Sequence, residues 1–319
     1  MKNSVKYYSV GALLYCPANN DGLAASIISG RFGNKFSLAL CLEDTISDDH
    51  VEEAENILLD SLNKIYEAHK TQDFYLPKIF IRVRCPQQIS SLSRRMGKSM
   101  AILWGYIAPK FSLNNADSYI SAIKEVNSLA QQPIYLMPIF ESPDIIDLRD
   151  RYTILYGLKQ KIDEIEELIL NIRVGGNDLC HMFGLRRHAT ESIHDIRPVD
   201  SLFTDILTVF GMDYVVSGPV FEYYNGLDWE QGLRHEIAQD LLAGFIGKTV
   251  IHPNQIPILN DVLKVPQKDL EDARSILNWD EDSHKLVSGS ISKERMNEYK
   301  THSNWALRTI FLAEYYGTK

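Results

Sequence analysis

The stretch PIYLMPIFE (residues 133–141) is apolar along almost its whole length and then ends in a carboxylate. A strand with one wet face alternates polar and apolar residues. A near-continuous run like this one therefore reads as a strand buried on both faces, the mark of a parallel sheet covered by helices. Similar runs lie on either side of it. Before it come SVGALLYCPA (9–18), FSLALCLE (36–43), KIFIRVR (78–84) and AILWGYIAPK (101–110); after it come ELILNIRVGG (167–176), DYVVSGPVF (213–221) and GKTVIHP (247–253). Segments of helical period separate them, at 49–70, 114–130, 144–162, 199–211 and 229–244, and in the first Val51, Ala54, Ile57, Leu58 and Leu62 repeat near helical spacing. Eight such units predict an α/β fold, a (β/α)8 TIM barrel over residues 1–264. A doubly wound open sheet is the rival, but no glycine-rich dinucleotide turn follows an early strand. Residues 265–319 predict no further strand: two helices around a polar stretch, 283–293, form a C-terminal helical extension that could contribute to an oligomer interface.

Composition narrows the function classes. The 319 residues are 45% hydrophobic and 24% charged, as in an ordinary globular protein. With 33 basic and 42 acidic side chains the net charge is −9, which argues against nucleic acid as a partner. Cys16, Cys41, Cys85 and Cys180 lack CxxC spacing, so reduced thiols in a cytoplasmic protein are expected. The opening MKNSVKYYSVGALLYCP reads as a first strand rather than a signal peptide, and no run reaches the length of a membrane span.

In a barrel the C-terminal ends of the strands make the active-site face. The runs deliver Glu43 and Asp44, Arg82 and Arg84, Lys110, Glu141, then Gly175-Gly176-Asn177-Asp178, and finally His252-Pro253. Each has an ordinary reading too. Asp44 before Thr45 suits a helix N-cap, Ser142-Pro143 suits a helix start, and Lys110 and Arg84 suit solvated rim charges. Taken together they suit metal chemistry. Mg2+ takes oxygen ligands, commonly one or two carboxylates with substrate and water, and Glu141 and Asp178 come from consecutive strand ends. An arginine can clamp a carboxylate and steady a developing enolate oxygen. No Ser-His-Asp or Cys-His arrangement and no P-loop is evident, and the adjacent His194-Asp195 is weak.

In this order the pieces resemble the citrate lyase β-subunit group of the HpcH/HpaI aldolase superfamily. The matching residues are Leu14-Tyr15-Cys16-Pro17-Ala18-Asn19, Leu42-Glu43-Asp44-Thr45, Ile81-Arg82-Val83-Arg84 and Ala108-Pro109-Lys110. Pro138-Ile139-Phe140-Glu141-Ser142, Val174-Gly175-Gly176-Asn177-Asp178-Leu179 and Gly244-Phe245-Ile246-Gly247-Lys248 running into Ile251-His252-Pro253-Asn254-Gln255 complete the set. The resemblance implies a barrel, dependence on Mg2+ (or Mn2+), and a homo-oligomer, trimeric or hexameric. It implies Glu141 and Asp178 as metal ligands and Arg82 as the catalytic arginine on the enolate oxygen. Glu43 and Asp44 become the acidic pair that orders metal-bound water and that arginine, and Lys110 a rim lysine that binds substrate.

Several departures from that pattern stand out. Arg84 replaces the usual asparagine and would add positive charge beside the substrate. Glu141 and Asp178 are 37 positions apart, which implies an insertion. A second insertion, near 180–198, carries His181, Arg186, Arg187, His188, His194 and Arg197, and reads either as a solvated loop or as a lid over an anionic group such as phosphate. Ser288-Gly289-Ser290-Ile291-Ser292-Lys293 lacks the acid that thioester-active relatives carry. These features resemble the C–C bond lyase-like branch found in bacterial stress gene clusters of the tellurium-resistance type. The expected function is a Mg2+-dependent C–C lyase or aldolase acting on a small anionic oxo- or hydroxy-acid. A lyase or synthase working on a CoA thioester and an inactive metabolite-binding scaffold are its rivals, and a phosphorylated acid is a further candidate substrate.

Overall fold

In the computed structural model, which describes residues 2–279 and 287–319, every one of the eight runs contains a parallel strand. They are β1 (Ala12–Pro17), β2 (Phe36–Cys41), β3 (Lys78–Arg82), β4 (Leu103–Ala108), β5 (Tyr135–Phe140), β6 (Ile172–Val174), β7 (Val216–Ser217) and β8 (Lys248–Val250). Pairing runs β7-β6-β5-β4-β3-β2-β1-β8, and a parallel bridge between Gly218 and Lys248 closes the ring. Closure depends on Gly247, whose φ is +75° and whose Cβ, if it had one, would lie 2.7 Å from the Gly11 carbonyl oxygen. That same oxygen accepts the Lys248 N–H at 3.0 Å, which seats β8 against β1. Any larger residue at 247 would be both strained and in collision with the neighbouring strand.

Helices alternate with the strands: α1 (Val5–Tyr8), α2 (Leu23–Ile28), α3 (Val51–His69), α4 (Pro86–Met96), α5 (Ala116–Leu129) and α6 (Arg151–Asp163). The series continues with α7 (Gly176–Met182), α8 (Arg197–Phe210), α9 (Trp229–Ala243), α10 (Gln255–Val262), α11 (Gln267–Leu277) and α12 (Tyr299–Tyr316). In α3 the buried stripe is Ala54, Leu58, Ser61, Leu62 and Ile65, and burying Leu58 and Leu62 contributes about 2 kcal/mol each. The helix expected over 144–162 starts only at Arg151. Asp147 accepts the N–H of Arg149 at 2.9 Å, a local turn that competes with helix over 146–150, and Pro143 opens only a short 3-10 turn.

The C-terminal segment differs from its expectation. Residues 265–319 do contain strands: β9 (Val287–Gly289) pairs antiparallel with β10 (Met296–Glu298), between α11 and α12. Both strands are short, and neither carries an apolar run that would announce it. Residues 283–286 of the expected polar stretch lie outside the described residues. Helix α12 crosses the N-terminal ends of the barrel strands. Its Tyr316 hydroxyl donates to the Tyr8 carbonyl at 3.1 Å, and Phe311 meets Tyr8 with ring centroids 5.2 Å apart. Lys78, at the start of β3, lies 5.0 Å from the Trp104 ring and 5.2 Å from the Tyr315 ring. Among the described residues no helix is long and apolar enough to cross a membrane.

Candidate active site

The opposite end of the barrel gathers the charged residues. Arg82 is the last residue of β3, and its Nη2 lies 2.6 Å from Glu43 Oε2 and 2.8 Å from Asp44 Oδ2, both just past β2. The same nitrogen is 3.4 Å from Oε1 of Glu141, the first residue after β5. Asp44 caps no helix: its carboxylate is engaged by Arg82, and α3 begins seven residues later, at Val51. Lys110 follows β4 with φ +47°, a left-handed conformation uncommon for a side chain of this size. That turn aims its backbone N–H at Glu141 Oε1, 3.0 Å away, while its ammonium binds Glu43 and sits 3.5 Å from Asp44 Oδ1. Backbone strain of order 1–3 kcal/mol is thus held at the place where four strand ends converge.

Glu141 is only 3% exposed. Burial pushes its carboxyl up to about 7, and the nearby charge of Asp178 adds to this, while Arg82 and Lys110 act in the other direction. Asp178 sits in the first turn of α7 and is half-buried. Burial also raises Glu43. For Asp44 burial is outweighed by Arg82, Glu43 and Lys110, which hold it below the usual range. Arg82 is desolvated, yet Tyr15, Glu141 and Glu43 keep it firmly protonated.

This donor set fits a divalent cation. Four carboxylates (Glu43, Asp44, Glu141, Asp178) face two cations (Arg82, Lys110), leaving two negative charges in a partly desolvated mouth. Glu141 and Asp178 offer hard oxygen donors, and burial, with the charge of Asp178 adding to it, raises the Glu141 carboxyl, which is the situation a bound cation relieves. Among the described residues no three His, Cys, Asp or Glu side chains enclose a metal by themselves. Two carboxylates with the remaining positions open match the way Mg2+ is bound beside a chelating substrate.

Arg84 lies apart from this cluster. Its Nη1 donates to the carbonyls of Leu42 at 3.1 Å and Ile46 at 2.8 Å, and Nη2 pairs with Asp48. The guanidinium therefore braces the β2–α3 loop that carries Glu43 and Asp44.

The His/Arg-rich insertion is neither a wholly solvated loop nor a free lid. Arg187 is buried, with Nε 2.8 Å from Glu236 Oε2 on α9. His194 is held from both ring nitrogens, at 2.9 Å from Asp200 and 2.9 Å from Asp240. Lys248, fully buried at the start of β8, joins Glu236 at 2.9 Å to Asp240 at 2.7 Å. Three cations and three carboxylates thus form one continuous network once His194 is protonated, and it pins residues 187–194 to α9. Ser192 and Asp195 add a capping box around the 3-10 turn Ile193–Asp195. The other four charges, His181, Arg186, His188 and Arg197, are exposed.

Sequence reasoning passed over Arg173. Arg173 stands alone between Ile172 and Val174 in a buried strand, and that isolated charge was the available signal.

The family model for C–C bond lyases of the TIM-barrel fold matches residues 4–318. No curated protein sequence matches the chain. Among solved structures, CitE from Mycobacterium tuberculosis in complex with magnesium, acetoacetate and coenzyme A is 16% identical, with a TM-score of 0.61 over 98% of this chain and 99% of that one. A citrate lyase from Burkholderia xenovorans LB400 is 12% identical, with a TM-score of 0.71 over 97% and 93% of the two chains. The citrate lyase β subunit of M. tuberculosis complexed with oxaloacetate and magnesium is 16% identical, with a TM-score of 0.53 over 81% and 99%.

Proposed function

The chain belongs to the C–C bond lyases of the TIM-barrel fold, and from that premise we propose that it is a Mg2+-dependent carbon–carbon lyase that works through an enolate of a small anionic oxo- or hydroxy-acid. The observation that carries this reading is the convergence of Glu43, Asp44 and Glu141 within 3.4 Å of one guanidinium nitrogen of Arg82, with Asp178 beside Glu141. Glu141 and Asp178 would hold the metal, Mg2+ or Mn2+, which when bound polarises the substrate carbonyl as a Lewis acid. Arg82 hydrogen-bonds the oxygen on which negative charge collects as the C–C bond breaks and its electron pair moves toward the carbonyl. Glu43 and Asp44 fix the guanidinium in that orientation, and Lys110 ties the two acids together from the rim. The structures of M. tuberculosis relatives that hold magnesium with oxaloacetate or acetoacetate support this choice of substrate class. The same reading places the enzyme in the cytoplasm as a homo-oligomer in which residues 265–319 contribute to the interface.

Calorimetric titration of the metal-free protein with Mg2+, then with pyruvate, oxaloacetate and acetyl-CoA, tests the proposal. Metal-dependent binding of a small acid is the expected result. Binding of the CoA ester alone would move the assignment to thioester chemistry, and failure to bind Mg2+ under any condition would overturn it.

A further inference from the structure

Arg173 on β6 is 2% exposed and crosses the barrel lumen, because its hydrogen bond from Nη2 to Thr249 Oγ1, at 2.6 Å, reaches β8, which is not a neighbour of β6. Its Nε and Nη1 are buried without a hydrogen-bond partner among the described residues. Register places it on the face shared with Ile139, so it lies one inward-facing position below Glu141. Tyr15 of β1 stands between the two interior guanidiniums: Arg82 is 5.8 Å from its ring, and its phenol neighbours Arg173. The cations of this lumen are not equivalent. Arg82 faces three carboxylates and Lys110 faces two, whereas Arg173 pairs with none among the described residues. A desolvated guanidinium with two idle N–H groups destabilises a fold unless an anion comes to it.

We infer that Arg173, with Tyr15 and Thr249, receives a carboxylate of the substrate. This rests on the enolate reading and extends it. One end of the acid lies at the Glu141–Asp178 edge of the site, and its carboxylate accepts a charge-assisted hydrogen bond from the idle Nη1. Substrates without such a carboxylate are discriminated against, because they leave the guanidinium unpaired.

The test compares wild type with Arg173→Met and Arg173→Lys by thermal unfolding and by calorimetry, using Mg2+ alone and then Mg2+ with pyruvate or oxaloacetate. In Arg173→Met the ligand-free protein should melt at or above the wild-type temperature and Mg2+ binding should persist. Affinity for the acids should fall roughly 10- to 100-fold, the loss of one charge-assisted pair, and Arg173→Lys should recover part of it. Unchanged acid affinity in Arg173→Met overturns the inference alone. So does a ligand-free melting temperature well below wild type in both variants, which would mark a purely structural arginine. A wild type that binds neither Mg2+ nor acid defeats the enolate reading, and this inference with it.

Discussion

A Cβ atom placed on Gly175 would lie 2.0 Å from Oε2 of Glu141 and 2.4 Å from its Cβ. The bare backbone after β6 is therefore what lets the Glu141 carboxylate stand at the barrel mouth beside Asp178. Gly175→Ala is expected to displace Glu141, cost about 1–3 kcal/mol through overpacking, and weaken Mg2+ binding at least tenfold. Thermal unfolding with and without Mg2+ reads both effects, and wild-type metal affinity in this variant would show that Glu141 is not a ligand.

The two acids should separate metal binding from folding. Glu141→Gln and Asp178→Asn are each expected to abolish Mg2+ binding and turnover while leaving the far-ultraviolet circular dichroism unchanged. Neither removes a core side chain, and the first removes a buried charge. Calorimetry on the purified variants checks this, and retention of wild-type Mg2+ affinity by both would relocate the site.

The buried network gives a stability prediction. Lys248 and Glu236 are both fully buried, so Lys248→Met leaves Glu236 and Asp240 short of a partner and should cost about 3–5 kcal/mol in urea unfolding. Glu236→Gln should cost a similar amount, because it leaves Arg187 without its carboxylate and Lys248 with Asp240 alone. A loss below about 1 kcal/mol in both would mean that the network contributes little to the fold.

His194 adds a pH dependence. Burial lowers its affinity for a proton, but the hydrogen bonds and charges of Asp240 and Asp200 outweigh this and raise its pKa in the folded state. Folding then favours the protonated ring. The stabilisation is complete below the unfolded value of about 6.5 and is lost as pH rises through the higher folded value. Urea unfolding across that range should show stability falling as His194 deprotonates, and His194→Gln should flatten the curve. An equally steep decline in the variant would assign the effect to another group.

How much of this was legible in the sequence follows from how local each signal is. The strands were readable because each apolar run reports its own burial, and the clustering of Glu43, Asp44, Arg82 and Glu141 because they end or follow those runs. The placement of Arg84 was not legible because side-chain direction is not local: its guanidinium turns back onto the carbonyls of Leu42 and Ile46. The pairing of Arg187 with Glu236 and of His194 with Asp240 joins residues more than forty positions apart, which no spacing rule links. The β9–β10 hairpin escaped because its strands are three residues each, with no hydrophobic face to betray them.

The central claim is that these strand ends stabilise an enolate with the help of a divalent metal. Proton NMR of pyruvate incubated in D2O with the protein and Mg2+ tests it most directly, since enolisation exchanges the methyl protons for deuterium whatever the physiological substrate. The account predicts exchange that requires both the wild-type protein and Mg2+, stops on chelation, and is lost in Glu141→Gln and Arg82→Met. Exchange that survives chelation or either substitution, or no exchange by a protein that binds Mg2+ and pyruvate, would contradict it.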